Sequence, residues 1–152
     1  MSGKRSAGIL LYRKRAGNLE VFLVHPGGPF WVKKDAGAWT IPKGEIGEDE
    51  DPLAAARREM SEETGFTPDG NFIALPPVRQ KAGKLVLAWA IEGDCEPSAL
   101  RSNSFSMEWP PRSGRSADFP EIDRGAWYGL AEAREKLLEA QRPFLDALEA
   151  LV

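Results

Sequence analysis

The sequence predicts an α/β domain: a mixed sheet with helices on both faces. Strand-like and helix-like runs follow one another over the 152 residues in the order β-β-β-α-β-β, a long connection, then β-α-α. The first two strand runs are almost continuously apolar, as strands buried on both faces are. A central helix carries start and stop signals at its two ends.

In order, residues 7–12 (AGILLY) and 19–24 (LEVFLV) read as strands joined by a turn over 13–18 (RKRAGN). Residues 25–39 are rich in Gly and Pro and read as a loop, and residues 38–42 (AWTIP) as a short strand leading into Lys43 and Gly44. Asp51 suits an N-cap, Pro52 the first helical position and Gly65 a left-handed C′, so a helix spans about 52–64. Leu53, Ala56, Met60 and Thr64 share one side of it. Residues 71–79 and 84–92 read as strands around a Gln80–Gly83 turn, and Pro76-Pro77 imply an edge or a bulge in the first. Residues 93–120 read as a long connection with one alternating run, 104–109 (SFSMEW), as a strand. Residues 121–128 read as a short strand, 130–139 as an amphipathic helix, and FLDALEALV after Pro143 as a last helix.

One domain accounts for 1–152, with enough chain for a real core. A composition of 42% hydrophobic and 28% charged residues is that of an ordinary globular protein. Net charge of −3 gives no argument for nucleic-acid or membrane-surface partners. Cys95 is the only cysteine, which excludes an intrachain disulfide and suits a reducing, cytoplasmic setting. The start, MSGKRSAG, lacks a following leader-type apolar run, and no spanning segment is seen.

The charge is unevenly spread. Residues 44–66 (GEIGEDEDPLAAARREMSEETGF) hold eight acidic side chains and two basic ones. Glu59, Glu62 and Glu63, spaced i, i+3, i+4, fall on one helical side, where like charges repel and hard divalent cations find the oxygens they prefer. Arg58, four before Glu62, is placed to hold a carboxylate by a charge-assisted hydrogen bond.

These residues carry a resemblance. Gly44, Glu50, Arg58, Glu59, Met60, Glu62, Glu63, Gly65 and Phe66 match every specified position of the Nudix hydrolase box. The chain thus resembles the Nudix family over at least residues 7–66. The resemblance implies the Nudix fold, an α/β/α sandwich with a mixed central sheet. It implies a hydrolase that cleaves a phosphoanhydride with Mg²⁺ or Mn²⁺, in which Glu59, Glu62, Glu63 and a main-chain carbonyl of Lys43 or Gly44 are the metal ligands. Anionic oxygens shield phosphorus from water until cations neutralise them. Glu50 is expected to orient the loop or bind a metal-bound water.

A general base is also needed, drawn from Glu62, Glu63 or Glu121, with Glu108 a rival. Lys43, Arg79, Lys81 and Lys84 are candidates to meet phosphates. Phe30, Trp31 and Trp39 are candidates to stack on a base or to cap the core. Arg112 and Arg115 are placed to close over a polyphosphate. His25, the only histidine, reads as structural because no second histidine exists to build a ligand set.

The expected partner is a small nucleotide, the assembly a monomer or homodimer. AWTIPKG (38–44) with KLVLAWAIE (84–92) resembles the diadenosine-tetraphosphate hydrolase branch, so dinucleoside polyphosphates rank first. A (d)NTP or ADP-ribose pyrophosphatase is the alternative. Two other classes stay open: a non-catalytic, nucleotide-sensing Nudix module, and a cysteine-dependent isomerase using Cys95.

Overall fold

The computed structural model describes residues 4–152. Residues 1–3, the start of the segment read above as lacking a leader, lie outside the described residues. The chain forms β1 (Arg5–Arg15), β2 (Asn18–Pro26), β3 (Lys43–Glu45), α1 (Pro52–Thr64), β4 (Ile73–Arg79), β5 (Leu85–Glu92), β6 (Ser104–Glu108), β7 (Ser116–Pro120), β8 (Ile122–Gly129), α2 (Leu130–Lys136) and α3 (Pro143–Leu151).

The main sheet runs β4-β5-β1-β2-β8, with β3 added beside β1. β1 and β5 are parallel, the other pairs antiparallel, so the sheet is mixed. The apolar run of β1 feeds two cores by simple alternation. Ala7, Ile9 and Leu11 join Phe22, Ala55, Ala56 and Met60 beneath α1. Leu10 and Tyr12 join Trp39, Leu137, Phe144 and Leu148 beneath α2 and α3. Helices therefore cover both faces, the expected sandwich. Among the described residues no helix is long and apolar enough to cross a membrane.

Several boundaries differ from the sequence reading. The 13–18 turn shrinks to Ala16-Gly17, both left-handed (φ 51° and 80°). Its charged flanks belong to the strands, because Arg13 lies opposite Glu20 and bonds it at 2.8 Å. The expected 38–42 strand reduces to isolated bridges, Val24 with Thr40 and Trp39 with Leu137, and the true strand is Lys43–Glu45. Pro42 has no N–H with which to extend a ladder, but its carbonyl accepts from Ile9 at 3.1 Å. Gly8 permits this approach, since a Cβ there would sit 2.5 Å from the Pro42 oxygen.

β4 is an edge strand, and its register shifts between Leu75 and Val78, so Pro76-Pro77 sit in a bulge. The long 93–120 connection contains a second strand, β7, which pairs with β6 as a separate hairpin from Ser104–Pro120 to Glu108–Ser116. SADFP is short and holds only two side chains larger than alanine and serine besides its proline, Asp118 and Phe119, and it is a strand only because β6 lies beside it. α2 ends at Lys136 rather than near 139, because the Leu138 N–H turns to the Trp39 carbonyl (2.8 Å).

α1 has the expected ends. The Asp51 side chain accepts the Ala54 N–H at 3.0 Å, and Gly65 (φ 80°) donates its N–H to Ser61 O. Asp51→Ala is expected to cost about 1 kcal/mol, read as a small fall in midpoint by urea melt with an unchanged slope.

Candidate active site

α1 packs against β1 and β3, which brings its acidic side to the β3 loop. Arg58 is the hub there. Its Nε and Nη2 donate to the two oxygens of Glu50 at 2.8 and 2.9 Å. Its Nη1 donates to Glu59 at 2.7 Å and to Glu62 at 3.1 Å. Nη2 also donates to the Glu45 carbonyl at 3.1 Å. Glu50 takes the Gly47 N–H as well, at 2.8 Å, so its carboxylate braces the loop onto the helix. The Arg58 guanidinium and the Gly47 N–H hold the Glu50 carboxyl down at about 2.

Glu63 points to the other side and accepts the Lys43 main-chain N–H at 3.0 Å. Burial pushes its carboxyl up to about 8, and the nearby charges of Glu59 and Glu121 add to the rise. Burial also raises the Glu59 carboxyl, with Glu62 and Glu121 contributing. The Lys43 ammonium is pushed down, by burial first and then by the charge of Lys84. The knot thus gathers Lys43, Gly44, Glu50, Arg58, Glu59, Glu62 and Glu63, with Glu121 and Lys84 close enough to act on its charges.

Among the described residues no three carboxyl groups stand together as a ready-made cage. Arg58 draws Glu59 and Glu62 to its side, while Lys43 draws Glu63 away. The donor set nevertheless fits a hard divalent cation. A Cβ at Gly44 would lie 2.0 Å from the Glu59 carboxyl carbon and Oε1, so that carboxylate rests directly on the backbone at the strand-to-loop junction. Burial and mutual repulsion leave Glu59 and Glu63 with a demand for positive charge.

Glu63 predicts a pH effect in the metal-free protein. Unfolded, it loses its proton near 4.5; folded, near 8. Between those values the folded state binds more protons, so this group's contribution to stability declines as pH rises. The melting temperature in EDTA is expected to drop from pH 5 to pH 8 more steeply in the parent than in Glu63→Gln. Equal slopes would remove the assignment.

Other candidates stand apart from the knot. Arg79 folds back on its own turn, donating to the Gly83 carbonyl at 3.0 Å. Lys81 lines a separate cleft. Trp31 is 37% exposed, with Lys34 Nζ 4.9 Å from its ring centroid. Phe30 is 60% exposed and meets Trp109 edge-on. Trp39 is not a stacking surface: it is buried, donates to Asp35 at 2.8 Å and packs edge-on against His25 and Tyr128. His25 is buried too, between Asp123 and the Lys34 carbonyl, which makes it a structural clamp.

Glu108 uses both oxygens to accept the Arg112 and Gly114 N–H groups, closing the β6–β7 turn. That occupation removes it as a rival base. Burial, with help from Asp94, pushes the Cys95 thiol up to about 12, the opposite of an activated nucleophile. The sequence reading overlooked Gln141, which is buried and joins Ile41 to Gln80. No signal in the chain order marks a contact between residues 100 positions apart.

Known proteins resemble this chain over part of its sequence and in its fold. An RNA pyrophosphohydrolase of Caulobacter vibrioides is 44% identical over 55 residues, 33% of this chain and 32% of that protein. An asymmetrical bis(5'-nucleosyl)-tetraphosphatase of Caenorhabditis elegans is 38% identical over 63 residues, 41% of each. The chain thus matches only about a third to two-fifths of the length of these curated relatives. Among solved structures, a C. elegans Ap4A hydrolase binary complex superposes with a TM-score of 0.68 at 22% identity, covering 98% of this chain and 97% of that one. The NUDIX domain of Shewanella oneidensis NrtR, complexed with ADP ribose, gives 0.68 at 19% identity, covering 100% and 90%. At such identities these likenesses concern the fold. The profile of the NUDIX domain family matches residues 3–148, nearly the whole chain, and the protein belongs to that family.

Proposed function

We propose that the protein is a metal-dependent pyrophosphohydrolase acting on a nucleoside diphosphate linked to a further group, with dinucleoside polyphosphates as the first candidates. The observation that carries this reading is the pair Glu59 and Glu62 held by Arg58, with Glu59 set against the Gly44 backbone and Glu63 held by the adjoining Lys43 N–H. Glu59, Glu62 and Glu63, with the Lys43 or Gly44 carbonyl, would hold Mg²⁺ or Mn²⁺. When bound, such an ion neutralises phosphate oxygens and lowers the pKa of water.

The chain's own side chains supply the rest. Arg58 orients Glu59 and Glu62 and, through Glu50, locks the loop that follows Gly44. Lys43 and Lys84 offer point charges to the phosphates, with Lys81 and Arg79 further out. Glu121 or a box carboxylate takes the proton from the attacking water. The Glu121 main chain is fixed on both sides for this, its N–H to Asn103 and its carbonyl to Gly27, each at 2.8 Å. Trp31 is a candidate for base stacking. The named activities of the relatives, on RNA and on a dinucleoside tetraphosphate, support the phosphoanhydride class.

The test is a panel of dinucleoside polyphosphates, (d)NTPs, ADP-ribose and 5'-triphosphorylated RNA, with Mg²⁺, Mn²⁺ or EDTA. Products are weighed by mass in oxygen-18 water to locate the phosphorus attacked. Turnover of a dinucleoside polyphosphate that stops in EDTA is expected. Tight nucleotide binding with no turnover of any member would point instead to a sensing module.

A further inference from the structure

A cleft of about 400 Å³ opens between the turn after β4 and the segment joining α2 to α3; Gly37, Gln80, Lys81, Leu138, Glu139 and Arg142 line it. Its wall is built on a buried amide. Gln141 is fully buried, accepts the Ile41 N–H through Oε1 at 3.0 Å and donates through Nε2 to Gln80 Oε1 at 3.0 Å. A side chain satisfied in both directions holds these segments in one geometry. Gln80 uses its side-chain carbonyl inward, and its NH₂ group has no protein partner among the described residues.

The charges lining the cleft are unbalanced. Lys81 and Arg142 have no carboxylate within 4.0 Å among the described residues. Arg142 Nε is out of water and has no acceptor, one of two such side-chain atoms among the described residues, the other being Ser6 Oγ. Its terminal Nη groups are not enclosed in this way and have no protein acceptor among the described residues either, and phosphate oxygens match such a guanidinium fork in charge as well as geometry. Glu139 is the one acidic lining residue against Lys81 and Arg142, so the cleft is net positive.

We propose that this cleft is a phosphate subsite, with Arg142 and Lys81 as the charged donors, the Gln80 amide as a third, and Leu138 as an apolar side wall. It is coupled to the active-site knot through the backbone. The Gln80 N–H donates to the Lys84 carbonyl at 2.7 Å, and Ile41, held by Gln141, lies two residues before Lys43. The subsite thus shares supports with Lys43, whose N–H meets Glu63, and with Lys84, whose charge acts on Lys43. Its assignment to the far phosphates of a substrate rests on the hydrolase reading above; its affinity for phosphate does not.

The test uses inorganic tripolyphosphate titrated into the ¹⁵N-labelled full chain in EDTA. The side-chain amides of Gln80 and Gln141 and the Gly37 N–H are expected to shift. Arg142→Gln and Lys81→Gln are each expected to weaken binding about tenfold, or about 1.4 kcal/mol. Arg142→Lys, which keeps the charge without the fork, should fall between. Lys81 is exposed, so its variant remains informative if changes at Arg142 disturb α3.

Shifts confined to Lys43, Gly44 and Lys84, or unchanged affinity in the Lys81 variant, would overturn the subsite. So would adenosine moving the same amides when tripolyphosphate does not. Turnover is measured separately: a chain that binds here yet hydrolyses nothing retires the hydrolase reading and leaves the subsite standing.

Discussion

Glu63→Gln lowers kcat for metal-supported hydrolysis by about a hundred- to ten-thousand-fold, the range expected for loss of a catalytic acid or base. Glutamine has nearly the same shape and keeps an oxygen to accept the Lys43 N–H, now 3.0 Å from Glu63 Oε1. It removes the negative charge that burial already disfavours. The fold should therefore tolerate the change, and the melting temperature near pH 8 in EDTA should hold or rise. A loss of rate with retained stability separates chemistry from structure. The check is kcat with Mg²⁺ on the best substrate of the panel, alongside a thermal melt. Unchanged kcat would mean that the carboxylate on this side of α1 neither holds metal nor moves the proton.

Phe22→Ala has the largest expected effect on stability, about 3–5 kcal/mol. Phe22 is fully buried at the centre of the layer beneath α1. Phe66 and Trp127 meet its ring edge-on at 5.9 and 5.5 Å between centroids. A Cβ at Gly125 would come within 2.4 Å of Phe22 Cζ, so the ring fills the space against bare β8 backbone. Alanine leaves a hole that the stiff sheet cannot close. A melting temperature lower by roughly 10 °C is expected for a chain of this size. A change under about 2 °C would show that the α1-side layer repacks freely, contrary to its close packing.

Legibility followed the range of the forces involved. α1 was readable to its termini because Asp51, Pro52 and Gly65 act within a few residues of themselves. β1 and β2 were readable because burial on both faces leaves a continuous apolar run. Their charged ends were not, since Arg13 counts as strand only when Glu20 is opposite. β7 escaped notice for the same reason: its pairing with β6 is invisible in SADFP alone.

The candidate site divides in the same way. The spacing of Arg58, Glu59, Glu62 and Glu63 is a helical property, and it follows from 3.6 residues per turn. The bidentate grip of Arg58 on Glu50 needed the loop to fold back on α1. The occupation of Glu108 needed the β6–β7 turn.

By itself the amino-acid order determined the two-faced sheet, the capped acidic helix and the side of that helix on which the carboxylates stand, because each depends on neighbours in the chain. Only the tertiary structure decided that Glu63 faces Lys43 while Glu59 and Glu62 turn to Arg58, that Trp39 belongs to the core, and that Gln141 joins Ile41 to Gln80. Those outcomes depend on desolvation and on hydrogen bonds between distant residues, which exist only once the packed layers have brought the partners together.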